Sequence, residues 1–505
     1  MKSSAQKSLL NKALGFIEAI GNKLPDPITI FVILSVAIVL LSAIASALNL
    51  AVVHPGTQET VTAVSLLTPE GIRRMITEAV NNFVTFPPLG TVLVAMLGVG
   101  VAESTGLLSA LLRQGVLFAP AAMIAPAIVF LGVMSNLASD AGYVVLTPLG
   151  ALVFLAFGRH PIAGLAAAFA GVSGGYSANL LIGAVDPLLA GITEGSAQLI
   201  NPDAVVNATA NYYFMAVSTV LITLIGWYVT DKIVEPRLGD YAEEQQAEIN
   251  RLTTAEKRGL KWAGLAFLAT TACFLVMVLP PQGILRNPET FTIVPSPFLS
   301  GIVPIITLGF LIPGIVYGRA VGTINNDKDI ARALSDSMSS MGYYIVLSFF
   351  AAQFVAYFGW TNLGFILAVS GATLLESTGF TGIPLLIAFI LVSAFINLFI
   401  GSASAKWNIM APVFVPMLML IGYSPEFTQL AYRIGDSTTN IITPLMPYFP
   451  IIVAMGTKYD KNLGIGTLIA TMLPYSIAFL LGWAVFFIIW FTLGIPLGPG
   501  AAIRI

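Results

Sequence analysis

Glu103-Ser104-Thr105-Gly106 returns as Glu376-Ser377-Thr378-Gly379, each time followed by an apolar stretch. Some way downstream, Ser139-Asp140-Ala141-Gly142-Tyr143 with Pro148 is echoed by Ala403-Ser404-Ala405-Lys406-Trp407 with Pro412. Further on, Gly174-Gly175-Tyr176-Ser177-Ala178-Asn179 is echoed by Gly435-Asp436-Ser437-Thr438-Thr439-Asn440, and Pro187 lies near where Pro447 does. Three landmarks in one order, at offsets of 273, 264 and 261 residues, mark two related halves, roughly 86–195 and 343–455. Duplicated membrane halves commonly have inverted topology, with substrate held midway between them.

Composition places these halves in a bilayer. Of 505 residues, 57% are apolar and 10% charged, whereas a soluble domain carries about 25% charged residues to solvate its surface. This is an integral membrane protein, and the readings as a secreted domain, a cytosolic enzyme or a nucleic-acid binder fall away. The net charge of −2 also argues against a polyanionic partner. The single cysteine, Cys273, allows no intramolecular disulfide, and two histidines, His54 and His160, narrow the acid–base options. Forty-six glycines and 30 prolines among apolar runs suggest interrupted helices, which survive in membranes where a neighbour or cavity satisfies the freed backbone.

The expected fold is an all-α polytopic membrane protein of about nine spanning helices, with two inverted repeats, re-entrant helical hairpins and broken helices. Residues 1–26, with Lys2, Lys7, Lys12 and Lys23, form a cytoplasmic segment. Residues 27–85 hold the first span and an outer loop; the run Pro27–Leu50 exceeds the roughly 7–15 residues of a signal peptide's apolar region. The first repeat is 86–195, with a hairpin tip near 134–142. Scaffold helices and a charged loop, 231–261, occupy 196–342. The second repeat is 343–455, with a tip near 401–406, and 456–505 supply a last span. Lys and Arg collect before the first span, in 231–261 and in 319–332, which puts these on the cytoplasmic side and leaves His54 outside without a role. At 161–194 and 427–454 the Gly/Ser/Asn and Thr/Asn/Pro clusters read as unwound helix middles.

Asp140, Asp186, Lys406, Arg433 and Asp436 lie inside apolar blocks. A charge at mid-bilayer costs about 2.5–3.5 kcal/mol on insertion scales, so such residues persist when paired or lining a water-filled cavity. Arg433 and Asp436, three apart, share a helix face and could neutralise each other. Both precede Ser437-Thr438-Thr439-Asn440, where free carbonyls would suit a site instead. Hydroxyls and unwound carbonyls suit a small hard cation, and half-helix N-termini suit carboxylates. Asn136, Asn179, Asn397 and Asn440 are candidate ion ligands, as is Asp140, with sodium the candidate ion; turn capping is the plain alternative for the asparagines. Trp407 and Tyr143 could stack on an aromatic ligand or simply pack between helices. Glu103 and Glu376 read as helix-end turns.

Gly171-Val172-Ser173-Gly174-Gly175 matches a nucleophile elbow formally, but that motif needs a strand–turn–helix and a histidine later in the chain, and none follows His160. No ATP-binding or metalloprotease signature occurs, so the chain is not expected to be an enzyme, and no cofactor is expected.

Ile20-Gly-Asn-Lys-Leu-Pro-Asp-Pro27, Asp231-Lys-Ile-Val-Glu-Pro-Arg-Leu-Gly239, Ala411-Pro-Val-Phe-Val-Pro416, Tyr432-Arg-Ile-Gly-Asp-Ser437 and Pro496-Leu-Gly-Pro-Gly500 resemble the p-aminobenzoyl-glutamate transporter (AbgT) family along essentially the whole chain. The resemblance implies a bacterial inner-membrane homodimer handling folate-pathway compounds, with nine spanning helices, two hairpins and an aqueous basin per subunit. It places Asp186, Ser404, Trp407, Pro425, Arg433, Asp436 and Pro444 along the route. It also implies a fold similar to the divalent-anion/sodium symporters, whose hairpin tips carry Asn-containing sodium sites. Lys406 departs from the Ser-Ala-apolar-Trp pattern that the resemblance leads one to expect; it either offers a carboxylate a cationic partner or snorkels outward. Asn440 resembles the exporter branch.

These readings converge on a secondary transporter exporting p-aminobenzoate-type aromatic carboxylates and sulfonamides on an ion gradient. Arg433 would hold the carboxylate or sulfonyl group and Trp407 stack on the ring. Ser404 and Asn440 would donate hydrogen bonds, and Asp186 and Asp436 carry protons. The rivals are cation-coupled uptake of p-aminobenzoyl-glutamate or a related dicarboxylate, a membrane hydrolase of such conjugates, and a passive channel.

Overall fold

The computed structural model describes residues 25–53, 58–120, 123–138, 142–241, 252–294, 296–446 and 448–505. Asp140, His54, Pro447 and the N-terminal lysines fall outside these residues. In chain order the principal helices are α1 (Pro27–Ala47), α2 (Pro87–Ser104), α3 (Leu107–Leu117), α4 (Ile124–Ser135), α5 (Thr147–Ala156) and α6 (Pro161–Phe169). They continue with α7 (Val185–Ala197), α8 (Tyr212–Val229), α9 (Thr254–Val278), α10 (Ile302–Val321), α11 (Asp327–Ser340) and α12 (Gly342–Trp360). The remainder are α13 (Leu363–Ser377), α14 (Gly382–Asn397), α15 (Ala403–Leu420), α16 (Pro425–Asn440), α17 (Phe449–Gly456) and α18 (Ile465–Leu493). The sheet among the described residues is one antiparallel pair, β1 (Ala51–Val53) and β2 (Thr60–Thr62), with Ala51 opposite Thr62.

Eight described helices are long and apolar enough to cross a membrane: α1, α2, α8 with its continuation to Leu238, α9, α10, α12, α15 and α18. Local chemistry sets their starts. Asp26 accepts from the Ile28 N–H ahead of Pro27, and Thr253 with Glu256 forms a reciprocal capping box at α9. The charged stretch 319–332, placed on the cytoplasmic side by its Lys and Arg, is partly helical. Asn326 caps α11, and Ser337 Oγ then donates to the Met96 carbonyl of α2 at 2.7 Å.

Two local features recur in both halves. Thr105 Oγ1 donates back to the Val101 carbonyl (2.9 Å) and Thr378 Oγ1 to that of Leu374 (2.8 Å). Each helix then ends on a glycine of positive φ, Gly106 at +86° and Gly379 at +67°, where a Cβ would be strained. The Glu-Ser-Thr-Gly motif is therefore a helix stop. Further on, α4 crosses the wide turn 170–174 that extends α6, and α14 crosses α16. A Cβ on Gly171 would lie 2.4 Å from the Val129 carbonyl, and one on Gly435 would lie 2.4 Å from that of Ile390. The same backbone-to-backbone crossing is thus built twice.

Regular α4 gives way to a tight turn at 136–138, and the described chain resumes in the wide turn 142–146 that leads into α5. It breaks again at 398–402, between α14 and α15, so Lys406 and Trp407 lie on the opening turns of α15 rather than at the tip. After Gly174 the first half stays irregular until α7, as expected. The second half differs: α16 remains helical through Asn440 and the gap opens at 441–446. Ser437, Thr438 and Thr439 return their hydroxyls to the carbonyls of Arg433, Ile434 and Gly435, so the run expected to unwind stays in the helix. Pro444, which has no N–H to give, sits in the gap.

One large core buries both halves around α8 and α18, with Phe154, Phe169, Trp407, Tyr432, Phe479 and Trp483 in its interior. Smaller apolar clusters attach α9 and α10 to α2 and α3, and α1 to α12. The interrupted segments therefore pack with α8 and α18 at the centre, while α1, α9, α10 and α12 lie in the smaller flanking clusters.

Candidate functional site

The helix breaks bring five predicted residues together. Asp186 lies in the first turn of α7, Arg433, Asp436 and Asn440 lie on α16, and Lys406 projects from α15. Their exposures are 3% for Asp186, 2% for Arg433, 1% for Asp436, 6% for Asn440 and none for Lys406. Charges so far from water persist only when paired and hydrogen-bonded. Arg433 Nη2 donates to Asp186 Oδ1 at 2.7 Å, tying the second half to the first. The other Asp186 oxygen accepts from the Gly183 N–H at 2.8 Å. Lys406 Nζ pairs with Asp436 Oδ1 and donates to Asn397 Oδ1. The alternative Arg433–Asp436 neutralisation is not formed: each residue is paired off its own helix. Nor does Lys406 snorkel; it points inward, with the Tyr432 ring 5.7 Å away.

The asparagines differ between halves. Asn136 Nδ2 and Asn179 Nδ2 both donate to the Val133 carbonyl, at 3.0 and 3.3 Å; the first caps its own turn and the second ties the irregular stretch to the end of α4. Asn397 Nδ2 instead reaches across to α16, donating to the Asp436 carbonyl (2.6 Å), Asn440 Oδ1 (2.8 Å) and Thr439 Oγ1 (2.9 Å). Asp140 lies outside the described residues.

Trp407 has no exposed face. Its ring stacks on Tyr432 with centroids 4.3 Å apart, and its Nε1–H donates to Thr193 Oγ1 at 2.9 Å. The free stacking platform expected there is filled by the protein's own tyrosine. Tyr143 likewise stacks on Tyr448, centroids 4.5 Å apart. Ser404 is partly exposed one turn before Asn408, whose Nδ2 donates to the Ser404 carbonyl. Pro425 opens α16 behind the Ser424 cap, about two turns from Arg433, and shapes the helix start rather than touching the ion pairs. Pro444 is partly exposed beyond the other end of α16.

Sequence reasoning missed Thr193, Gln429 and Tyr432. Thr193 Oγ1 meets Gln429 Oε1 at 2.7 Å, and Gln429 Nε2 donates to Asn211 Oδ1 at 3.1 Å, a polar chain linking Trp407 to both halves. A signal existed: Gln429, Arg433, Asp436 and Asn440 recur at spacings of four, three and four, a single polar helix face.

Within the paired charges two buried polar atoms have no hydrogen-bond partner, Arg433 Nε and Asp436 Oδ2. Each such atom costs about 1–3 kcal/mol. An unmet donor and an unmet acceptor on the ion pairs suit a polar guest.

A family model described as "AbgT putative transporter family" matches residues 12–505. The p-aminobenzoyl-glutamate transport protein of Escherichia coli (strain K12) is 40% identical over 500 residues, 99% of this chain and 98% of that protein. The solved YdaH transporter of Alcanivorax borkumensis, described as having an unusual topology, is 48% identical with a TM-score of 0.91, covering 94% of this chain and 100% of that one. The solved structure of Neisseria gonorrhoeae MtrF, described as illuminating a class of antimetabolite efflux pumps, is 52% identical with a TM-score of 0.92, covering 97% and 99%.

Proposed function

This chain belongs to the AbgT family of transporters, and from that premise we propose that it exports p-aminobenzoate-type folate intermediates and sulfonamide antimetabolites across the bacterial inner membrane on the proton gradient. The observation that carries this reading is the buried Arg433–Asp186 pair, whose guanidinium still has an unmet Nε–H. A substrate carboxylate or sulfonyl group that takes Arg433 must displace Asp186. The freed carboxylate, out of water and without its cation, then favours its protonated form. Loss of that proton restores the Asp186 charge, which reclaims Arg433 and expels the anion. Anion binding at Arg433 and protonation of Asp186 thus promote each other, so this pair links anion movement to proton movement.

Asp436, held by Lys406 with one oxygen bare, is the second proton carrier in this scheme. Partly exposed Ser404 and buried Asn440 supply hydrogen bonds, while Trp407 shapes the site through Tyr432. Two such chains assemble as a homodimer. The description of MtrF supports export; the 40% identical Escherichia coli relative supports the second reading, cation-coupled uptake of p-aminobenzoyl-glutamate or a related dicarboxylate.

Radiolabelled p-aminobenzoate flux in proteoliposomes, with imposed pH or sodium gradients of either sign, tests this. Flux that follows the proton gradient and vanishes in Asp186→Asn or Asp436→Asn supports it. Flux that requires sodium, or is undiminished in both variants, sinks it.

A further inference from the structure

Oxygen atoms gathered where membrane helices break are natural places to look for a coupling ion. In the second half the oxygens are of the right kind: a carboxylate, Asp436, and an amide carbonyl, Asn397, converge from separate elements. They already face a cation. The Lys406 ammonium contacts both Asp436 Oδ1 and Asn397 Oδ1, and its side chain is wholly buried. The Asn397 amide cannot turn away, because its NH2 group is engaged by the Asp436 carbonyl, Asn440 and Thr439. A sodium ion against the same oxygens would sit beside the ammonium, and two like charges about 4 Å apart repel by about 4 kcal/mol at an effective dielectric constant of about 20. The residues present therefore do not fit sodium while Lys406 stays in place.

The first half is built otherwise. At the repeat position of Lys406, 264 residues earlier, stands Gly142. A Cβ there would lie 2.1 Å from Ser135 Oγ, so a side chain would enter only if Ser135 moved aside. The halves are thus asymmetric: one carries no side chain at this position, and the other places an amine there.

We propose that Lys406 is the second half's resident cation, its ammonium occupying the coupling-ion position between the hairpin tip and Asp436, so that this half takes up no sodium. The inference rests on the transporter reading only in treating Asp436 as a coupling group. Its corollary is that removing the amine creates a sodium site from Asp436, Asn397 and their hydroxyl neighbour Thr439.

Equilibrium binding of radiolabelled sodium to purified, lipid-reconstituted protein tests the proposal without reading transport. Wild-type binding should be unchanged by Asp436→Asn. Lys406→Ala should bind sodium at least about tenfold more tightly than wild type, and the gain should disappear in the Lys406→Ala/Asp436→Asn double variant. Lys406→Arg, which keeps the cation, should behave as wild type. Wild-type sodium binding that Asp436→Asn abolishes would overturn the proposal, as would a monodisperse Lys406→Ala protein with no gain. The wild-type arm decides even if Lys406→Ala fails to fold. Failure of proton-driven export would show in the flux assay while leaving these binding results as they are.

Discussion

Arg433 and Asp186 neutralise each other where neither has water, and that makes each dependent on the other. Truncating one member of a buried pair leaves an uncompensated charge, at a cost of about 3–5 kcal/mol, whereas removing both can be nearly neutral. Arg433→Met should therefore lower stability by roughly that amount, and Arg433→Met with Asp186→Asn should recover most of it while remaining unable to transport. A double-mutant cycle from thermal or denaturant melts in detergent measures this. Additive losses would mean that the pair is not the unit described here. At this scale the sequence was informative about which residues matter but not about their partners. Arg433 and Asp436 are adjacent on a helix, and only the tertiary structure shows that Arg433 looks to α7 and Asp436 to α15.

Among the elements, the crossings of α4 with the extension of α6 and of α14 with α16 depend on glycine for close approach, not for φ. Gly171→Ala and Gly435→Ala should each destabilise by about 1–3 kcal/mol, because the new methyl meets a carbonyl of a packed helix that cannot withdraw. Gly309→Ala, on α10 with nothing within 4 Å of the added Cβ, should be neutral or raise stability by up to about 1 kcal/mol through helix propensity. Melting temperatures of the three variants, compared under one condition, decide the matter; equal shifts would refute the close-packing account. The helix stops at Gly106 and Gly379 were legible because a Thr-Gly pair encodes its own local geometry. The end of α16 was not, because Ser and Thr favour breaks only when their hydroxyls lack an upstream carbonyl, and here they have one.

Across the whole molecule, the first half is fastened to the aqueous end of α8 by Arg159. It donates to Asp231 (2.5 Å) and to Glu235, and stacks over Phe154 at 4.1 Å. Trp227 Nε1–H donates to the second Asp231 oxygen at 2.6 Å. His160 sits beside this seam, its Nδ1 accepting from the Ile162 N–H and its ring edge-on to Tyr241. Burial lowers its pKa below the usual histidine value, against the opposing pull of Glu235 and Asp460. The unfolded chain, with a histidine pKa of roughly 6.5, then binds more protons than the folded one as pH falls. Stability from this group is complete above about 6.5 and declines as pH drops through that value toward the lower folded pKa. His160→Asn, which can still cap α6, should flatten the slope of melting temperature against pH in that window. An unchanged slope would assign it to other groups.

Periodicity, composition and the repeated Glu-Ser-Thr-Gly, tip and Gly/Asn landmarks sufficed for a duplicated all-helical membrane protein with its charges gathered at the breaks. Each of those features is local: apolar length demands a bilayer, a Thr-Gly stop ends a helix, and a buried charge must be answered by something. What answers it is not local. That Lys406 meets Asp436, that Arg433 meets Asp186, and that Trp407 is covered by Tyr432 were settled by the packing of α7, α15 and α16. A low-dielectric interior forces every charge to find a partner, but the choice among partners belongs to the elements that bring them within reach.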